Sequence, residues 1–172
     1  MLRAWFSGIV GEPWTQVPNV AVGAVGHSQV VSVFVTVERD GEPLLRIDVY
    51  EQEPAHRAFQ EAMVWHELAV VGFGGHVHLV TLQPRNIASY ALDGYFGHLY
   101  PLDERLLVAD AEGLHCFAPT GRRLWQSDQL GIDGVVVHDV DGDAIEGEGE
   151  WDPPGGWRPF RISLASGMGV AR

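Results

Sequence analysis

Eight acids and no base occupy the run from Asp133 to Asp152: Asp133, Asp139, Asp141, Asp143, Glu146, Glu148, Glu150 and Asp152. Asp139-Val140-Asp141-Gly142-Asp143 offers alternate acidic oxygens, the ligand pattern that calcium loops use. Ala144 stands where such a loop needs glycine and no further ligand follows in register, so a plain hairpin accounts better for these residues. It turns at Asp141-Gly142 and joins predicted strands over 135–140 and 144–151. In the second strand Glu146, Glu148 and Glu150 alternate with Gly147, Gly149 and Trp151, which puts the glutamates on one face, about 6.8 Å apart. That separation also suits a glycosidase acid pair, although no cleft is legible around it. A one-sided acid row is either solvated or a landing surface for an arginine- or lysine-rich protein. The next loop, Trp151-Asp152-Pro153-Pro154-Gly155-Gly156-Trp157, is stiffened by two prolines and framed by two tryptophans. Rigid aromatics beside acids suit an interface anchor, whereas the plainer use of the tryptophans is to close a core. The expected contact surface is Asp139, Asp141, Asp143, Glu146, Glu148, Glu150, Trp151, Asp152 and Trp157.

Histidine is the other source of chemistry. His76 and His78 share a face of a predicted strand, with His66 and His98 as further histidines able to approach, and such a pair ligates zinc when two more ligands arrive. A core-edge histidine pair is the plainer reading, and no metal or other cofactor is expected. Cys116 follows His115, but neighbours in a strand point to opposite faces, so the two do not form a nucleophile–base pair. Cys116 reads as a small core residue. The chain has no glycine-rich phosphate loop, nucleophile elbow or CxxC pair, and no catalytic residue is assigned.

The elements that must position these groups belong to a chain of 172 residues, the size of one domain, with 46% hydrophobic and 20% charged residues. That balance excludes a disordered chain. The net charge is −12, from 23 acids and 11 bases, and every base is arginine. A basic face for phosphate is scarcely attainable, so nucleic acid is not an expected partner, and an anionic membrane surface repels such a chain. The start meets Gly11 and Pro13 too early for a signal peptide, and no stretch approaches the roughly 20 apolar residues of a membrane span. A single cysteine forms no internal disulfide, which favours a reducing compartment, the cytoplasm by default.

Local patterns predict a mainly β fold. Val31, Val33, Val35 and Val37 alternate with polar or aromatic residues, and Leu45, Ile47 and Val49 do so beyond Asp40-Gly41. A three-residue loop Arg39-Asp40-Gly41, pairing Val35 with Leu45 and Val33 with Ile47, keeps one face apolar. A plain two-residue turn at Asp40-Gly41 mixes the faces. Pro54 then suits a first helical position, and Ala58, Phe59, Ala62, Met63 and Trp65 recur at three and four, predicting one short helix over about 54–65. Further strands are expected over 68–71, 76–82, 106–109, 114–118 and 160–164. The chain is one domain over 1–172, with the hairpin and helix in about 1–66 and a more repetitive part in about 67–172.

Three segments end a strand in a turn that favours a left-handed residue, at Asn86, Gly121 and Gly167, at intervals of 35 and 46 residues. Repeats of about 40 residues made of short antiparallel strands are the mark of propeller blades. The stretch from Leu106 to Trp125, with Pro119-Thr120-Gly121 ending a strand and Trp125 after it, resembles a blade of the PQQ-like (quinoprotein-type) β-propellers. The resemblance implies strand–turn chemistry and a scaffold for binding, and carries over no cofactor site. The reading as a whole is an antiparallel meander with propeller-blade-like repeats. Its expected function is non-catalytic binding, as in a bacterial immunity-type or regulatory protein that masks a basic protein. A metal- or carboxylate-dependent hydrolase using His76, His78 and the acids is the competing class. A third is a structural module, a homo-oligomer paired through exposed strand edges.

Overall fold

Short strands that are apolar on both faces need cover on both sides, and stacking small sheets supplies it. The computed structural model describes residues 1–23, 30–50 and 59–170, and arranges them as four small sheets in chain order. Sheet I holds β1 (Leu2–Ser7), β2 (Asn19–Gly23), β3 (Val33–Arg39) and β4 (Glu42–Tyr50) in the order β1-β3-β4-β2, with β2 parallel to β4. Sheet II is the meander β5 (Gln60–Trp65), β6 (Leu68–Phe73), β7 (His76–Thr81) and β8 (Ile87–Ala91). Sheet III repeats it with β9 (Phe96–Pro101), β10 (Leu106–Asp110), β11 (Leu114–Phe117) and β12 (Arg123–Gln126). Sheet IV has three strands, β13 (Val135–Asp141), β14 (Ala144–Glu150) and β15 (Trp157–Ser163).

Three apolar layers hold the sheets together. Val35, Ile47 and Val49 of sheet I meet Ala69, Val71 and Val80 of sheet II. Val70, Val77 and Leu79 meet Phe96, Leu106 and Phe117 of sheet III. Leu107, Leu114 and Cys116 meet Val135, Ile145 and Ile162 of sheet IV. The first strands succeed one another in space, β1 beside β5, β5 beside β9 and β9 beside β13, as the inner strands of blades do. No comparable packing joins sheet IV back to sheet I among the described residues, so over these residues the blade-like sheets form an open series.

The repeated turn has a mechanical role. Gly121 (φ 81°) and Gly167 (φ 72°) are left-handed as expected. In sheet II the left-handed residue is Arg85 (φ 73°) and not Asn86, because Asn86 has already returned to pairing, its N–H donating to Thr81 Oγ1 at 2.8 Å. An aromatic from the outer strand of the preceding sheet docks on the turn. Tyr90 of β8 donates to the Gly121 carbonyl at 3.0 Å, and Trp125 of β12 donates to the Leu164 carbonyl at 2.8 Å. A Cβ on Gly167 would lie 2.5 Å from the Trp125 ring, so this turn is glycine for space as well as for φ. Tyr90 and Trp125 are themselves 35 residues apart, the interval from Asn86 to Gly121.

Two local expectations are corrected. The helix over 54–65 is absent where the structure describes it: residues 60–65 are strand β5, and 54–58 lie outside the described residues. Ala62 and Val64 pack toward sheet I while Met63 and Trp65 pack toward sheet III, so the run is apolar on both faces. Such a run carries no alternation to distinguish it from a helix segment. The first hairpin uses the two-residue turn after all, with Asp40 (φ 53°) and Gly41 (φ 86°) both left-handed. Glu38 opposes Pro43 but Val37 opposes Leu45, and this bulge returns the valines to the apolar face. Val35 therefore pairs with Ile47 and Val33 with Val49.

Candidate functional site

The acidic hairpin forms as β13–β14, with its turn one residue later than expected. Asp141 pairs with Ala144, and Gly142 (φ 57°) and Asp143 make the two-residue turn. The alternation of glutamate with glycine in β14 has a steric cause. A Cβ on Gly149 would lie 1.9 Å from the Leu130 carbonyl oxygen, and one on Gly147 would lie 2.1 Å from that of Val136. The backbone approaches too closely on that side for any side chain, and the glutamates take the other.

The expected contact residues divide among several environments. Glu146 and Glu148 line a groove of about 470 Å³ with His138, Asp139, Pro159 and Arg161. Each glutamate has a basic neighbour there, Arg161 Nε 3.5 Å from Glu146 and His138 Nε2 3.3 Å from Glu148. Both pairs are exposed and so contribute little to stability. Asp143 is engaged in structure: its carboxylate accepts from Ser163 Oγ at 2.7 Å and from the Ala165 N–H at 2.8 Å. Asp139 accepts from the Val140 N–H, and Asp141 is exposed at the hairpin end. Trp151 lies under the Arg158 guanidinium at 5.5 Å, and Asp152 is exposed on the loop between β14 and β15. Glu150 accepts from the Gly155 N–H and, with Trp157, borders a different cavity.

That second cavity, of about 310 Å³, is lined by residues of sheets III and IV and by Phe59 ahead of sheet II. Phe59, Tyr95 and Gly134 stand immediately before β5, β9 and β13, the first strands of sheets II, III and IV. The Tyr95 hydroxyl donates to the Asp133 carbonyl at 2.7 Å and lies 3.2 Å from its carboxylate. Burial, followed by the negative charge of Asp133, pushes the Tyr95 hydroxyl up to about 12. Phe59 rests against both Tyr95 and His98, with ring centroids 6.0 and 5.7 Å apart. His98 Nδ1 is 2.7 Å from Glu61, whose other oxygen accepts from the Leu99 N–H. Tyr95, Asp110 and Gly134 carry no motif that singles them out in the sequence, and Phe59 and His98 stand out there only for a helical stripe and for a metal pair. The available signal was positional recurrence, each of three residues preceding the opening strand of a sheet.

Asp110 borders the same cavity and is the most heavily bonded acid described. Its Oδ1 accepts from the Glu112 and Gly113 N–H groups at 2.9 and 2.6 Å, and its Oδ2 from the Asp93 N–H at 2.8 Å. His115 Nε2 lies 2.6 Å from Oδ2, with both residues at 1% exposure. Arg123 faces His115 Nδ1 at 3.4 Å, and since arginine only donates, Nδ1 accepts and Nε2 carries the proton given to Asp110. Asp93, Asp110 and His115 converge closely enough to consider a metal, but the carboxylate of Asp110 is already filled by four donors. The arrangement reads as a hairpin clamp. Neither Asp139–Asp143 nor the histidines His66, His76, His78 and His98 belong to a converging set of three ligands among the described residues.

His78 is buried with Nδ1 2.8 Å from Ser89 Oγ and its ring stacked on His76 at 5.7 Å. Burial, with a smaller contribution from charge on His76, lowers its pKa to about 3. The unfolded chain takes up a proton near 6.5 that the native state refuses, so stability falls as pH drops below that value, by about 1.4 kcal/mol per pH unit. We expect this residue to account for a loss of about 2 kcal/mol by pH 5. Urea melts of the native chain and of His78→Asn at pH 7.5 and pH 5 check it: the variant should lose less on acidification, and equal losses would refute the assignment.

With models of known protein families and with curated proteins the chain shows no match. What the geometry defines is a class, a series of blade-like β-sheets, open over the described residues, with an acidic groove on its last sheet and an aromatic cavity beside the first strands of three.

Proposed function

We propose that this chain is a non-catalytic binding protein whose partner is a basic protein, docked on the groove of sheet IV. The observation that carries the reading is the concentration of acid, with Asp139, Glu146 and Glu148 of the lysine- and arginine-free run 133–152 opening onto one groove, beside His138 and Arg161. Charge so gathered steers a basic surface into register and raises its rate of encounter. A concrete form is a bacterial immunity-type or regulatory protein that masks a basic toxin or enzyme. The likeness of residues 106–125 to quinoprotein-type propeller blades agrees with a scaffold role, since Trp125 acts as a dock between sheets.

Affinity capture from the native cell at low and high salt tests this, repeated with the Glu146→Lys/Glu148→Lys variant. A basic protein should be retained at low salt, released by salt, and bound about tenfold more weakly by the variant. Capture indifferent to both salt and charge reversal would overturn the reading. A second reading, self-association, is favoured by the open series of sheets, which leaves the far sides of sheets I and IV without a neighbouring sheet among the described residues. A mass in solution that rises with concentration would support it.

A further inference from the structure

The cavity beside β5, β9 and β13 shares no lining residue with the acidic groove, although both draw on the strands of sheet IV. Its aromatic components come from distant parts of the chain: Phe59 and Tyr95 on one side, Trp157 on the other. Phe59 and Trp157 are large apolar residues left 45% and 41% exposed, and both border this one cavity with Tyr95. Gly134 lies between the two sides. A Cβ there would sit 3.4 Å from the edge of Trp157 and 3.9 Å from the Tyr95 hydroxyl, so the absence of a side chain keeps the space open.

The charge of the cavity is one-sided. Among the described residues, Asp110, Asp133 and Glu150 border it, no arginine does, and His98, held by Glu61, is the one basic side chain. Burial raises the Tyr95 hydroxyl first, and the negative charges of Asp133 and then Glu150 add to it. Asp110 is filled by its four donors, whereas the Asp133 and Glu150 carboxylates have neutral partners, the Tyr95 hydroxyl and the Gly155 N–H, so an apolar ligand would leave their charge unmatched and an anion would be repelled. A compact cation with apolar flanks satisfies both sets of groups, its charge against the carboxylates and the ring faces, its flanks against the rings. The volume of about 310 Å³ accommodates such a head group.

We propose that this cavity binds an organic monocation, a guanidinium or alkylammonium head group held between Trp157 and the Phe59–Tyr95 pair with Asp133 and Glu150 as counter-charges. The group has two sources, a free small amine or a side chain presented by a protein. Their shared chemistry is what the site recognises.

The test is an NMR titration of the full chain, following the indole N–H resonance of Trp157, assigned by its loss in Trp157→Phe. The probes are choline for the free amine and Nα-acetyl-arginine methylamide for the side chain. Their neutral counterparts are 3,3-dimethylbutanol and Nα-acetyl-citrulline methylamide. A saturable shift with at least one cation, and at least about tenfold weaker binding of its neutral counterpart, is expected. The tighter of the two cations identifies the source. Asp133→Asn should weaken binding about fivefold, and Trp157→Ala about tenfold, with the remaining amide spectrum unchanged to show that the fold is kept. Gly134→Leu, which fills the space, should abolish it. The proposal is overturned if neither cation gives a saturable shift, if the neutral compounds bind equally well, or if a folded Trp157→Ala variant binds as the native chain does, read from the Tyr95 ring resonances.

Discussion

Replacing Asp110 by alanine lowers the unfolding free energy by about 3–5 kcal/mol, a large share of what a domain of this size possesses. The carboxylate is the common acceptor for the Asp93, Glu112 and Gly113 amides and for His115, at the hairpin between β10 and β11. Truncation leaves four donors facing a site to which water has little access, and each orphan carries a desolvation cost of about 1–3 kcal/mol, only part of which relaxation recovers. Asparagine is a sharper probe. Its carbonyl serves the Glu112 and Gly113 amides, but its NH₂ then faces the Asp93 N–H and His115 Nε2. The imidazole cannot change tautomer without turning an N–H toward Arg123. We therefore expect Asp110→Asn to cost about 2 kcal/mol, between the native chain and Asp110→Ala. Urea unfolding of the three proteins checks the order. A cost below about 1 kcal/mol for alanine would mean that the clamp is dispensable.

The second large effect concerns Gly72 and Phe96, where sheets II and III meet. Phe96 is fully buried and opens β9, and a Cβ on Gly72 of β6 would lie 2.1 Å from its ring. Gly72 has no left-handed φ, so the requirement for glycine here is steric alone. Gly72→Val must displace the ring or part the sheets, and we expect a loss of about 3 kcal/mol or more. Phe96→Ala costs about 3–5 kcal/mol for the opposite reason, the void left behind. Combining Gly72→Ala with Phe96→Leu should cost less than the sum of the two single changes by about 1 kcal/mol or more, because each partly corrects the misfit of the other. Additive losses would show that the two residues do not share the contact.

The acidic hairpin illustrates how far local sequence reaches. Its strands, its turn to within one residue and the shared face of Glu146 and Glu148 all come from alternation, because the two-residue period is a property of the extended chain itself. The role of Gly147 and Gly149 does not, since the carbonyls that exclude a side chain there are placed by the pairing with β13, for Val136, and by the packing of the segment before it, for Leu130. The contact surface expected from this stretch is contiguous in sequence, but the fold divides it. Asp143 is engaged by Ser163 and Ala165, and Trp157 and Glu150 turn to a cavity that Phe59 and Tyr95 complete.

By itself the sequence determined the strand-rich character of the chain, the positions of most strands from residue 68 onward, the left-handed turns at Gly121 and Gly167, and where the negative charge is concentrated. These depend on neighbours within a few residues. Tertiary structure alone decided that residues 60–65 are a strand, because the choice between helix and strand for a run apolar on both sides depends on what covers it, and sheets I and III do. It also decided the bulge that sets the first hairpin, and the joining of Phe59, Tyr95, Gly134 and Trp157 around one cavity. Residues that far apart meet only because successive sheets bring their first strands together, an arrangement set by how apolar faces stack and carried by no local pattern.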